Sequence, residues 1–201
     1  MARSQFHHGE ILRSKQSLNE FLTLKGIAMT DFFQQALGTS PEHEKTAIAK
    51  PMATTTVEGR SGVRRISIRN HQILADSPPH WVGYNLGATA PEIALGSLGA
   101  CLAHMYVATA GMKGITMDEM VIETSAELDL RKGQPGFENQ APGLDNIECT
   151  VRIKSSESID TLKQLHEDVE KTCPVYVGST IEKDKGTRCH LTRICSNGQM
   201  I

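Results

Sequence analysis

The sequence predicts an α+β domain in which two main helices pack against antiparallel sheets. Three observations carry that prediction. Short β-branched or alternating segments come in consecutive runs, 54–57 with 63–73 and then 120–130 with 147–153. Helical patterns follow each run, at about 91–112 and about 158–172. The 201 residues are 39% apolar and 22% charged, a globular composition with material for one ordinary core. Strands taken in pairs, with helices after and between them, place the helices as a layer against the sheet.

The first 50 residues read as an N-terminal extension, partly helical or mobile, with the folded domain running over 51–201. Within the extension a short amphipathic helix is expected from Thr30 to Leu37, with Phe32, Phe33 and Leu37 on one side. From Met52 the texture turns to strand: Thr54, Thr55, Thr56 and Val57, a turn over Glu58, Gly59, Arg60, Ser61 and Gly62, then Val63, Ile66, Ile68 and Ile73 with polar residues between. Asp76 and the following Ser-Pro-Pro end this meander. Gly83, Gly87 and Pro91 mark a loop before a helix.

That helix, about Pro91 to Met112, is apolar on nearly all sides. Pro91 suits its first turn, Glu92 complements its N-terminal dipole, and Gly111 or Gly114 ends it. A helix apolar all round is buried all round. One small sheet gives too little cover, so a second subunit is the natural source and a homodimer is predicted. The strand at 147–153 alternates cleanly and turns Cys149 inward. Leu162, Leu165 and Val169 give the second helix one apolar stripe. Cys173-Pro174, a new helical turn to about Ile181 and a last strand near 187–195 complete the order β-β-β-α-β-β-α-β.

Net charge is −2 and no basic run exceeds Arg64-Arg65, so nothing favours nucleic acid. Residues 91–110, broken by Gly96, Ser97, Gly99 and His104, read as too short and too mixed to span a bilayer. The first residues show no apolar core with a cleavage site, which makes a cytoplasmic location the expectation. The five cysteines are Cys101, Cys149, Cys173, Cys189 and Cys195, an odd number with no CxxC spacing. They are inert buried thiols, reactive thiols, or some of each.

Two cysteines are the best placed. Cys101 lies mid-helix in apolar surroundings, where burial raises a thiol pKa. It is either a small core residue or a nucleophile that needs a nearby Arg to ionise. Cys173 directly precedes Pro174. It is either a buried junction residue or an N-cap whose backbone N–H groups favour a thiolate. Arg60, in its tight turn, points to solvent or to a site. Glu92 is a dipole partner or a ligand for an arginine.

The stretch from Gly87 to Cys101 (GATAPEIALGSLGAC) resembles the active-site helix of the OsmC/Ohr family, the osmotically inducible and organic hydroperoxide resistance proteins. Leu128-Asp-Leu-Arg131, a Gly/Pro loop with Pro142-Gly143, and Ile147 to Ile153 resemble its central strands. Lys171-Thr-Cys-Pro-Val175 resembles its second cysteine motif. The resemblance covers about 52–195. It implies an OsmC-like fold, an intertwined homodimer with sites at the subunit interface, and no metal or organic cofactor. Cys101 would match the peroxide-attacking cysteine, Cys173 the resolving one, Arg60 the arginine that activates the thiolate, and Glu92 the glutamate that holds that arginine. Arg64 and Arg65 are rivals of Arg60. Glu92 precedes Cys101 by nine residues, whereas in the organic hydroperoxide branch the Pro-Glu pair sits one residue further away, a rotation of about 100° on a helix, so the branch stays open.

The implied activity is thiol-dependent reduction of hydroperoxides through a sulfenic acid and a disulfide, with an external thiol or dithiol as reductant. It requires the Cα atoms of Cys101 and Cys173 to lie within ~7 Å. The alternative is a non-catalytic module that binds a small ligand or senses redox state. A metal site using a cysteine with His104, His166 or His190 lacks ligand spacing. Cys149, Cys189 and Cys195 read as strand residues without a catalytic role. Trp81 and Tyr84 either line a pocket or anchor the loop, and 131–146 is either a lid or a wide hairpin turn.

Overall fold

A computed structural model describes residues 18–36, 48–180 and 188–194. The elements in order are α1 (Leu18–Ala36), β1 (Thr54–Glu58), β2 (Val63–Ile68), β3 (His71–Ala75), α2 (Ala90–Lys113), β4 (Glu119–Glu127), β5 (Asp145–Lys154), α3 (Ile159–Thr172), α4 (Pro174–Thr180) and β6 (Arg188–Ile194). The expected strand and helix order holds from β1 onward. Strands β1, β2 and β3 form one antiparallel sheet. A second sheet has the order β4-β5-β6.

The second sheet departs from the antiparallel expectation. The β4–β5 hairpin is antiparallel, but β6 lies parallel to β5, with Cys149 opposite Cys189. Helices α3 and α4 are the cause. A crossover that includes a helix returns the chain to the starting end of the sheet, so the next strand runs the same way.

Helix α2 is the hub. It packs against α1, β4, α3 and α4. Leu98, Leu102, Tyr106 and Ala110, spaced by four, are all buried on it and face Val151, Ile153, Leu162, Leu165 and Val169 in one core cluster. By length and composition alone α2 is long and apolar enough to cross a membrane, contrary to the sequence reading. In the fold it is the core helix, packed against α1, β4, α3 and α4. Its burial is not complete either: Ser97, Ala100 and His104, on one helical face, are exposed in the single chain. Gly114, at φ 66°, ends the helix. Gly111 does not end it; it lies inside the helix and meets α1.

Helix α1 begins twelve residues before the short helix expected from Thr30. It docks through Leu22 and Gly26, both buried. A Cβ on Gly26 would fall 2.1 Å from the Gly111 carbonyl oxygen, so the two backbones touch. Asn19 fixes the helix lengthwise. Its Oδ1 accepts the Met117 N–H at 2.7 Å and its Nδ2 donates to Asp118 at 3.1 Å.

The approach to α2 is organised by Asp76, which is buried. Its carboxylate accepts the backbone N–H groups of Ser77 (2.8 Å), Tyr84 (2.9 Å) and Leu86 (3.1 Å). Gly83 is required here, because a Cβ would sit 1.8 Å from the Ser77 carbonyl oxygen. Trp81 and Tyr84 are exposed on this loop. The Leu86 N–H above all holds the Asp76 carboxyl below its ordinary 3.8. A carboxylate depressed in the fold adds stability that is present above its unfolded pKa and lost as pH falls through its folded pKa. Asp76→Asn is therefore expected to lower the urea midpoint at pH 7. The gap to wild type should close as pH falls below about 4, which urea titrations from pH 7 to pH 3 check. A gap independent of pH would count against a charge effect.

The connection from β4 to β5 is a knit turn. Arg131 forks onto Asp129 at 2.9 and 2.8 Å and lies over the Phe137 ring at 5.1 Å, and Lys132 pairs with Asp145. Backbone bonds Gln134 N–H to Arg131 C=O (2.9 Å) and Phe137 N–H to Gln134 C=O (2.8 Å) close it on itself. Of the two expectations for 131–146, these bonds fit the wide hairpin turn.

Candidate active site

Cys101 sits one turn after Leu98 on α2, at the edge of the buried stripe, and is partly exposed. Cys173 sits at a corner. The residue before a proline is pushed out of helical geometry, and Cys173, before Pro174, adopts φ −72° and ψ 112° and ends α3. Its N–H still closes α3 onto the Val169 carbonyl at 2.9 Å, and its carbonyl accepts the Val177 N–H of α4 at 2.9 Å. Its side chain has no solvent exposure.

The two thiols meet although they are 72 residues apart: Cys173 donates its S–H to the Cys101 sulfur at 3.4 Å. Both are free. Burial pushes the Cys173 thiol up, and the opposing N–H groups of Tyr176 and Val175 do not offset it. The N-cap position expected of Cys173 is real, but the net result is a protonated thiol rather than a thiolate, because desolvation outweighs two backbone dipoles.

Of the four predicted site residues, the single chain brings together these two. Glu92 is claimed by the start of its own helix: its carboxylate accepts the Thr89 N–H at 2.6 Å and the Thr89 hydroxyl at 2.8 Å, a capping box that holds its carboxyl below the usual range. Arg60 is exposed in the β1–β2 turn. Among the described residues no hydrogen bond or ion pair joins it to Glu92 or to Cys101 within the chain. Its rivals are committed locally, Arg64 to the Gly62 carbonyl at 3.1 Å and Arg65 to Glu58 at 2.8 Å. His104 is held below the usual imidazole range by partial burial and by Lys25. Cys149 is buried in the core. Cys195 lies outside the described residues.

The sequence reading missed the groups around Cys173. Tyr106 of α2 hydrogen-bonds Nδ1 of His166 on α3, and Tyr176 of α4 donates to Glu170 of α3 at 2.9 Å. The spacing of His166 and Glu170, one helical turn apart, was the available signal, but on its own it reads as a solvated face.

A thiol pair, one member buried and one partly exposed, set where helices meet over a mixed sheet defines a cysteine-centred α+β domain. The chain belongs to the OsmC-like protein family, whose model matches residues 83–184, just over half of its length. That span holds Glu92, Cys101 and Cys173 and leaves out α1, β1 to β3 and Arg60. Solved structures share the fold. An OsmC-like protein from Mycoplasma pneumoniae matches with a TM-score of 0.63 at 20% identity, covering 72% of this chain and 97% of that one. An organic hydroperoxide resistance protein from Elizabethkingia anophelis matches with a TM-score of 0.53 at 19% identity, over 73% of this chain and 96% of that one. An organic hydroperoxide resistance protein OsmC from Legionella pneumophila, described as a predicted redox protein, matches with a TM-score of 0.51 at 11% identity, over 73% and 97%. No curated protein sequence matches the chain.

Proposed function

We propose that the protein is a thiol-dependent reductase of hydroperoxides, with organic hydroperoxides preferred. The observation that carries this reading is the 3.4 Å separation of the Cys101 and Cys173 sulfurs, one partly exposed and one buried. The Cys101 thiolate attacks the distal peroxide oxygen. The O–O bond breaks, the alkoxide takes a proton and leaves as an alcohol, and Cys101 becomes a sulfenic acid. Cys173 then attacks the Cys101 sulfur, its thiol proton and the hydroxyl leave as water, and the disulfide forms. Two electrons and two protons from an external thiol or dithiol restore both. The packing of Cys101 against the core favours an apolar peroxide substituent. Two of the structural neighbours are named for organic hydroperoxide resistance, which supports the same reading.

The same proposal includes a homodimer. Among the described residues no element packs closely on the β1–β3 sheet, Val57, Ile73 and Leu74 are exposed, and the Ser97, Ala100 and His104 face of α2 is exposed. A three-stranded sheet needs a packed face to be stable. A second copy supplies it and brings Arg60, which is exposed and joined to neither Glu92 nor Cys101 among the described residues, to the partner subunit's Cys101 as the cation for its thiolate. The reduced Cys101 and Cys173 thiols fit a reducing compartment, hence the cytoplasm.

Stopped-flow mixing with cumene hydroperoxide and with hydrogen peroxide is the test. The expected result is loss of two thiols per chain for each peroxide consumed, faster with cumene hydroperoxide. A wild-type protein inert to both would end the peroxidase reading and leave a redox-sensing or ligand-binding module.

A further inference from the structure

We propose that Tyr106, His166, Glu170 and Tyr176 are positioning residues for the thiol pair, a side-chain relay that ties the Cys101 helix to the Cys173 corner and sets how readily the two sulfurs bond. This rests on the disulfide chemistry proposed above, but not on the identity of the oxidant.

The relay is continuous. Tyr106 lies five residues after Cys101 on α2 and has no solvent exposure. A hydroxyl buried that deeply needs a hydrogen-bond partner. It hydrogen-bonds His166 Nδ1, and the two rings stack with centroids 6.1 Å apart. The other imidazole nitrogen, Nε2, faces Glu170 Oε1 at 3.7 Å. A proton on Nε2 points at that carboxylate, which leaves Nδ1 to accept the Tyr106 O–H. The same Glu170 oxygen accepts the Tyr176 O–H at 2.9 Å.

Glu170 and Tyr176 stand three residues before and three after Cys173. Their hydrogen bond therefore spans the α3–α4 corner as a brace. The Tyr176 N–H also bonds the Cys173 thiol, so one residue of α4 touches both the brace and the sulfur. Forming the disulfide draws the sulfurs from 3.4 Å to ~2.05 Å. With the corner braced, that approach starts from a fixed geometry. With the brace cut, the corner explores positions from which the sulfurs do not meet, and the effective concentration of one thiol at the other falls.

The test is the equilibrium of the full-length protein with mixtures of reduced and oxidised glutathione, read by alkylation of free thiols and mass spectrometry. As the Cys101–Cys173 bond forms, oxidised glutathione gains two electrons and two protons and becomes two reduced molecules. Tyr176→Phe and Glu170→Ala are each expected to lower the equilibrium constant about tenfold, equivalent to ~1.4 kcal/mol. Glu170→Gln keeps an acceptor for the Tyr176 hydroxyl and should stay within about threefold of wild type. Tyr106→Phe should act in the same direction, and its combination with Tyr176→Phe should cost less than the sum, as for residues in one network. Wild-type constants in Tyr176→Phe and Glu170→Ala, whatever their melting temperatures, would overturn the relay and leave these residues as fold supports. A wild-type protein inert to peroxides but with these glutathione constants shifted in the variants would overturn the peroxidase reading and keep the relay.

Discussion

Replacing Cys101 with serine is expected to lower hydroperoxide reduction by on the order of 10³-fold or more. A serine hydroxyl does not ionise near neutral pH and its oxygen does not expand to a sulfenic acid, so the first bond to the peroxide oxygen is never made. Cys173→Ser should behave differently. Its first turnover survives, because the attacking sulfur is intact, but the sulfenic acid has no thiol 3.4 Å away to close on. Excess peroxide should then carry Cys101 to the sulfinic acid. Mass spectrometry of Cys101 after a peroxide titration checks both expectations. Equal rates in wild type and Cys101→Ser would reassign the nucleophile.

The second large effect is expected far from the thiols. Gly26→Val should destabilise the domain by about 3 kcal/mol. A side chain at Gly26 runs into the backbone of Gly111, where even a Cβ would approach the carbonyl oxygen to 2.1 Å. Backbone on backbone does not yield, so α1 must move away, and overpacking of this kind costs roughly 1–3 kcal/mol. Undocking also returns Leu22 to water, worth roughly 1.5–3 kcal/mol for a buried leucine. It breaks the Asn19 bonds to Met117 and Asp118 as well. Urea unfolding of Gly26→Val, with Gly111→Val as the reciprocal variant, measures this. Midpoints equal to wild type would mean that α1 contributes nothing to the domain.

The sequence made the strands and the two main helices legible because their apolar periods are unambiguous: Leu162, Leu165 and Val169 are all buried where the stripe put them. It concealed the reach of α1 for a physical reason. The fully buried residues of that helix are Leu22 and a glycine, which leaves little apolar signal, while Phe21, Leu24 and Ile27 lie exposed. The direction of β6 was also hidden, since alternation reports which face is buried but not which way a strand runs. At the site, the thiols were found through motifs rather than through periodicity. The Tyr106–His166–Glu170–Tyr176 path could not be read, because it joins three helices whose proximity only the fold supplies. Glu92 shows the opposite difficulty. Its residue type and position suited two roles, and in the single chain it caps the helix start through one carboxylate oxygen.

On the cycle proposed above, the corner that buries Cys173 would also give the return half a direction. Once a disulfide spans the two residues, an incoming thiol can reach only the sulfur that faces solvent, which belongs to Cys101. The S–S bond then breaks toward Cys173, whose buried thiol, raised in pKa, recovers its proton readily but departs slowly. Regeneration on that cycle would thus pass through a mixed disulfide carried on α2, with the α3–α4 corner sealed from the reductant throughout.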